Sequence, residues 1–279
     1  MTQNNLRMVV TDLDGTLLNT EHQISEINEQ TLHRLGEKKI TRVAATGRTL
    51  YSAKKVLSDN SPIDYLVFSC GAGIINWKTK ELLHSISLSA DDVSVITHFL
   101  YRNDLDFQIL DPVPDCHKFF YYQGNNHNPD FNRRIAHYQE FAHSINFPPE
   151  RFGDACEILA IVPGEISTYE MVKKSLSQFK VIRATSPLDY KTLWVEIFQH
   201  NVSKGNAAAW LCSKIGCHSD AVLGIGNDYN DIDLLQWAGH SIVVANAPEE
   251  LKNQFEVTDS NINNGVTKAI QTIFGDAIH

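Results

Sequence analysis

The chain has 279 residues, 43% of them hydrophobic and 20% charged, with a formal net charge of −9. That balance places it among soluble globular proteins, with enough chain for two ordinary domains and a sizeable core. The acidic excess, with no Lys/Arg run, argues against nucleic acid and anionic membrane surfaces as partners, so an anionic substrate has to be held by local positive charge.

The stretch Met1-Thr2-Gln3-Asn4-Asn5 is polar and has no apolar signal core, and no apolar run approaches the length of a membrane span. Cys70, Cys116, Cys156, Cys212 and Cys217 are scattered and odd in number, which is read as reduced thiols in a cytoplasmic protein. The histidines fall in no metal-binding spacing.

In chain order, Met8-Val9-Val10-Thr11 reads as a short buried strand that runs into Asp12-Leu13-Asp14-Gly15-Thr16. A helical pattern with Ser25 as N-cap covers 25–39, and Arg42-Val43-Ala44-Ala45-Thr46 is a second buried strand ending at Thr46-Gly47-Arg48. A helix over 50–57 and a strand over 65–69 follow. This alternation predicts parallel strands with helices between them, and functional groups gathered at the carboxyl ends of the strands. Residues 74–86 carry a hairpin signal around Lys78-Thr79-Lys80. From Ser89 the pattern changes to helices at 90–102 and 168–178 and strands at 107–110, 119–122, 157–162, 180–185 and 190–198, with an Asn- and His-rich loop at 124–130. This predicts an inserted α+β domain over about 84–193. The first pattern then resumes with a helix at 203–215, capped by Ser203 and Gly216, and a strand at 221–225 that runs into Gly226-Asn227-Asp228-Tyr229-Asn230-Asp231. A helix around 234–237, a strand at 242–245 and a closing helix at 265–274 complete the chain. The expected fold is a doubly wound, mostly parallel α/β core of residues 1–83 and 194–279 interrupted by the insertion at 84–193.

Two carboxylates as close as Asp12 and Asp14 at a buried strand end are costly unless a cation lies between them or one is protonated. A divalent metal with oxygen ligands would explain them, as would a nucleophile paired with a general acid/base; an acidic turn capping backbone N–H groups is the plainer alternative. Thr46-Gly47 offers a hydroxyl and an unhindered N–H suited to a phosphoryl oxygen, or else an N-cap. Lys204 stands in the first turn of a helix, where the macrodipole disfavours a cation, so it is either matched by a nearby anion or solvated at the surface. The loop 226–231 is either a set of oxygen ligands or an Asn/Asp-rich turn. Gly224 and Gly226, with no third Gly, do not make a dinucleotide fingerprint.

In this order the pieces resemble the haloacid dehalogenase-like hydrolases, in particular the Cof-type sugar-phosphate phosphatases. Asp12-Leu13-Asp14-Gly15-Thr16-Leu17-Leu18 is similar to the first motif, Thr46-Gly47-Arg48 to the second, Ser203-Lys204-Gly205 to the third and Gly226–Asp231 to the fourth. The resemblance implies an α/β core with a cap domain and a phosphoric monoester hydrolase acting on small phosphorylated metabolites. It implies that Asp12 is the nucleophile forming an aspartyl-phosphate and Asp14 the general acid/base. Thr46, Gly47 and Lys204 would hold the phosphoryl group. Mg²⁺ would be bound by Asp12, the Asp14 carbonyl and Asn227, with Asp231 in or just behind its ligand set. Asn227 stands where the family usually has Asp, which makes Asp228 a competing ligand, and Cys70 stands where Asn is common. A phosphomutase of the same superfamily and an inactive metabolite-binding protein are the alternative readings. Neither the specificity-setting residues of the cap nor an oligomeric state is read from the sequence.

Overall fold

A computed structural model of the chain describes residues 6–124, 127–146, 152–162, 166–186, 188–189 and 191–275. The polar stretch at 1–5 and the start of the strand expected at 190 lie outside the described residues. Two compact units emerge: one comprises the chain up to Arg48, Ser52–His84 and the chain from Ser203 on, the other Thr49–Tyr51 and Ser85–Val202.

The first unit opens with β1 (Met8–Asp12), every residue of which is buried, as expected for an apolar run sandwiched in a parallel sheet. It continues through α1 (Glu26–Glu37), β2 (Thr41–Ala45), the single turn α2 (Leu50–Ala53), β3 (Tyr65–Phe68) and the hairpin β4 (Gly73–Asn76) and β5 (Leu82–Ser85). Ser25 caps α1 by accepting from the Asn28 N–H.

The second unit then runs α3 (Ala90–Arg102), β6 (Phe107–Leu110), β7 (Phe119–Tyr122), α4 (Pro129–His137), β8 (Ala142–Ser144), β9 (Glu157–Val162), α5 (Ile166–Ser175), β10 (Lys180–Thr185) and β11 (Leu193–Phe198). Its strands form one sheet in the order β10-β11-β9-β6-β7-β8, antiparallel except at β7-β8. Ile96 and Leu100 of α3 and Val172 of α5 share a core with Ile158 and Ala160, while Phe131 of α4 packs with Leu159 and Trp194 in another. β11 is therefore buried along its whole length. Its ladders with β9 and β10 make it part of this unit, which runs on to Val202 and past the boundary expected at 193. Residues 129–137, expected partly as loop, form α4, with Asn128 as N-cap and Pro129 in the first turn.

The first unit resumes with α6 (Lys204–Ile215), β12 (Val222–Gly226), α7 (Ile232–Trp237), β13 (His240–Val244), α8 (Glu249–Lys252), β14 (Glu256–Thr258) and α9 (Gly265–Phe274). The sheet order is β14-β13-β12-β1-β2-β3-β4-β5, parallel from β14 to β3. β1 thus lies between β12 and β2, where strand order reverses and a crevice opens at the carboxyl ends. Met8, Val10 and Val43 pack with Ala207, Ala208 and Leu211 of α6 and Leu234 of α7. Thr31 of α1 meets Thr267 of α9 through a 2.9 Å hydroxyl contact.

One expectation is corrected. Cys212 and Cys217 are not thiols but form a disulfide, with Cα atoms 5.0 Å apart. Gly216, at φ 68°, ends α6 in a left-handed turn that folds Cys217 back on Cys212. Among the described residues no helix is long and apolar enough to cross a membrane.

In the second unit, Glu157 and Glu196 are both buried. Burial first, and then the Glu196 charge, push the Glu157 carboxyl well above the usual carboxylate range, against the opposing pull of Arg134. A raised native pKa makes a stabilising contribution that is complete below the unfolded value and is lost as pH rises through the native one. Glu157→Gln removes that dependence. The stability gained over wild type should therefore grow between pH 5 and pH 8, by up to ~1.4 kcal/mol per pH unit while only the unfolded chain ionises. Urea midpoints of both proteins at the two pH values check this, and a difference that stays constant with pH would show that Glu157 ionises normally.

Candidate active site

Asp12 ends β1 with only 4% of its surface exposed. At the start of α6, Lys204 is wholly buried, so the surface alternative does not hold. Its Nζ donates to Asp12 Oδ1 at 2.6 Å, to Asp231 Oδ1 at 2.6 Å and to Asn230 Oδ1 at 3.2 Å. These three acceptors match the three hydrogens of the ammonium. The two carboxylates also answer the unfavourable macrodipole at this helix end. Ser203 caps the helix by accepting from the Asn206 N–H at 3.0 Å. The turn after β3 closes directly on the helix start: a Cβ on Gly71, at φ +109°, would lie 2.4 Å from the Ser203 carbonyl oxygen.

Asp231 holds the loop as well as the lysine. Its Oδ2 accepts from the Asn227 and Asp228 N–H groups at 2.9 and 3.1 Å, so both carboxylate oxygens are taken by protein donors. Burial pulls the Lys204 ammonium down, but Asp12 and Asp231 outweigh it and hold its pKa above the ordinary lysine value. Burial, with Asp231 and Asp14, pushes Asp12 up to about 7 against the pull of Lys204.

Asp14 is turned to the side of this cluster. The Arg48 guanidinium holds both of its oxygens, at 2.7 and 2.6 Å, and His22 Nδ1 lies 3.8 Å away. Ser52 Oγ accepts from Nη1 of the same guanidinium at 3.1 Å. Thr46 Oγ1 accepts from the Arg48 N–H at 3.0 Å, a local turn contact rather than the N-cap that was its alternative, since α2 starts only at Leu50. Gly47 stands where an added Cβ would touch Asn230 and Cys70 at 3.4 Å.

The cation question turns on Asn227. One end of its amide lies 3.1 Å from Asp12 Oδ2, from the Asp14 carbonyl oxygen and from Thr16 Oγ1. Mg²⁺ takes octahedral oxygen ligands at about 2.0–2.1 Å, which sets neighbouring ligand oxygens about 3 Å apart. With its oxygen inward, Asn227 gives that spacing to both Asp12 and Asp14, as two neighbouring oxygen ligands of a hard divalent ion would have. Asp228 Oδ1 instead caps the following turn, accepting from the Tyr229 N–H at 2.8 Å. Among the described residues no group of three or more His, Cys, Asp or Glu side chains is placed to hold a metal, so a cation here would rest on one carboxylate and two neutral oxygens.

The structure thus brings Asp12, Lys204, Asn227 and Asp231 into one cluster, with Asp14, Thr46 and Gly47 beside it. Sequence reasoning gave no role to Arg48, Thr16 or Asn230. The signal for Arg48 was its place directly after Thr46-Gly47; for Asn230 and Thr16 it was membership of the two acidic loops.

The model of a family of haloacid dehalogenase-like hydrolases matches residues 9–270. YxeH of Bacillus subtilis (strain 168) is 27% identical over 282 residues, spanning 96% of this chain and 98% of that protein. The 5-amino-6-(5-phospho-D-ribitylamino)uracil phosphatase YwtE of the same organism is 24% identical over 289 residues, covering 96% and 98%. Among solved structures, the HAD subclass IIB sugar phosphatase BT4131 superposes with a TM-score of 0.77 at 18% identity, covering 96% of this chain and 99% of that one, a likeness of fold.

Lys204→Met leaves Asp12 and Asp231 buried without their cation, and should lower stability by about 3–5 kcal/mol at neutral pH. Urea unfolding measures this. Adding Asp231→Asn should recover part of the loss, and a midpoint equal to wild type in the single variant would show that the clasp does not stabilise the fold.

Proposed function

The chain belongs to the haloacid dehalogenase-like hydrolase family, and on that premise we propose that it is a Mg²⁺-dependent phosphatase of small phosphorylated metabolites, sugar phosphates foremost, working through an aspartyl-phosphate. The observation that carries this reading is the state of Asp12. It is a buried carboxylate at a strand end, with one oxygen clasped by Lys204 and the other beside a cation-sized set of oxygens, while a second carboxylate stands two residues on. The substrate class is supported by YwtE and BT4131, named for a phosphoribityl compound and for sugar phosphates.

In this reading an oxygen of Asp12 attacks phosphorus, the bond to the ester oxygen breaks, and the departing oxygen takes a proton from Asp14. The alcohol leaves, and Asp12 holds the phosphoryl group. Asp14, now a carboxylate, removes a proton from water as that water attacks phosphorus; the bond to Asp12 breaks and inorganic phosphate is released. Both Asp14 oxygens lie on the Arg48 guanidinium, so Asp14 leaves that fork for the first step and enters the step carrying a proton taken up from solvent. Lys204, the Thr46 hydroxyl and the Gly47 N–H receive the phosphoryl oxygens. Because the three Lys204 hydrogens are matched, a phosphoryl oxygen takes the position of Asn230, the longest of the three partners. Mg²⁺, held by Asp12, the Asp14 carbonyl and Asn227, would supply charge neutralisation at the transferring group.

Asp12→Asn should abolish turnover of an aryl phosphate, by a factor of at least ~10³, in a chain that still unfolds cooperatively because Lys204 keeps Asp231 as its anion. Activity within a few-fold of wild type would exclude the covalent route. Asp14→Asn should slow single-turnover phosphorylation far more for an alkyl phosphate than for an aryl phosphate, whose leaving group needs no proton. Equal losses for the two would remove Asp14 from the acid role. Addition of EDTA should stop hydrolysis and excess Mg²⁺ restore it, which steady-state assays on a panel of sugar phosphates would check.

A further inference from the structure

The Asn227 side chain is the one member of the cation trio that can reverse its polarity. A half-turn about its terminal torsion exchanges a carbonyl oxygen for an NH₂ group in the same place. With the oxygen inward, it faces the oxygens of Asp12 and Asp14, an arrangement of acceptors that only a cation makes favourable. With the nitrogen inward, its two hydrogens are shared among three acceptors, the Asp14 carbonyl, Asp12 Oδ2 and Thr16 Oγ1, each 3.1 Å away. Thr16 suits both states, because its hydroxyl, wholly buried, donates to Asn227 Oδ1 at 3.1 Å in the first and accepts in the second. The turn needs no backbone movement, since the Asn227 N–H is pinned on Asp231. Close approach is secured by Gly15, at φ +72°, where a Cβ would lie 2.6 Å from the amide nitrogen.

We infer that Asn227 is a self-closing metal ligand: its oxygen binds the cation when one is present, and its amide nitrogen takes the cation's place when it leaves. A carboxylate at this position could do only the first. The residue thus trades charge, and with it Mg²⁺ affinity, for a metal-free site whose polar groups are satisfied, and cation release becomes reversible without loosening the loop. The inference rests on the metal reading above and concerns only how the chain behaves with and without the ion.

The test compares wild type and Asn227→Asp in EDTA and in saturating Mg²⁺, using calorimetric Mg²⁺ titration, thermal melting, and ¹⁵N spectra of the side-chain amides. The Asn227 NH₂ pair is assigned by its absence from the variant. In EDTA the variant should melt roughly 3 °C or more below wild type, and Mg²⁺ should raise its melting temperature more than that of wild type. In wild type, which needs no variant to fold, the Asn227 NH₂ pair should be protected from exchange in EDTA and lose that protection on Mg²⁺ binding. An NH₂ pair indifferent to bound Mg²⁺, or a variant as stable as wild type in EDTA with an equal Mg²⁺ shift, overturns the inference and leaves the metal reading standing. Absence of Mg²⁺ binding to both proteins overturns the metal reading, and the inference with it.

Discussion

An ammonium with no exposed surface, held between two buried carboxylates, is the constraint on which the first unit is built. Taking Lys204, Asp12 and Asp231 out of water is expensive for each of them, and the arrangement holds only if all three arrive together with good geometry. They come from the end of β1, the start of α6 and the loop after β12, so the packing of three separate elements is tied to one charge centre. The same charges are poised for chemistry. A carboxylate whose partner is fixed by packing cannot relax toward solvent, and its orientation is settled before any substrate arrives.

The topology explains why these groups meet. β1 is central and its neighbours β2 and β12 run parallel to it, so the carboxyl ends of all three open on one crevice. Asp231 then serves two elements with one side chain, one oxygen on Lys204 and the other on the backbone of residues 227 and 228. Gly71 completes the frame from the β3 side, because no larger residue lets that turn sit against the first turn of α6.

The parts legible in the sequence were those in which local pattern and burial agree. β1, β3 and β12 are apolar runs bounded by turn residues, and α3 covers the residues its pattern predicts, with Ser89 and Asp92 forming its capping box. β14 was not legible because it is an edge strand with two of its three residues exposed, so burial imposed no pattern. α4 was hidden because its cap, Asn128-Pro129, reads equally well as the close of a loop. In the site, Asp12, Asp14 and Lys204 were found from their motifs. The fork from Arg48 to Asp14 spans 34 residues and has no local signature, and the partnership of Asp231 with Lys204 likewise exists only through the fold. The Cys212–Cys217 bond escaped notice because five residues of separation carry no meaning until Gly216 turns the chain back.

The split of the first unit across the chain also sets an order of events during translation. Met8 lies beside Val222 in the finished sheet, so roughly two hundred residues must leave the ribosome before β1 can acquire one of its two parallel neighbours. At ~5–20 residues per second that is on the order of 10–40 s of nascent chain in which the β1–β3 half of the sheet has an open edge at β1. The second unit, whose strands β6 to β11 pair only with one another, can close within that interval. Lys204 follows Asp12 by 192 residues, and until it emerges Asp12 lacks its ammonium partner and can stay in water.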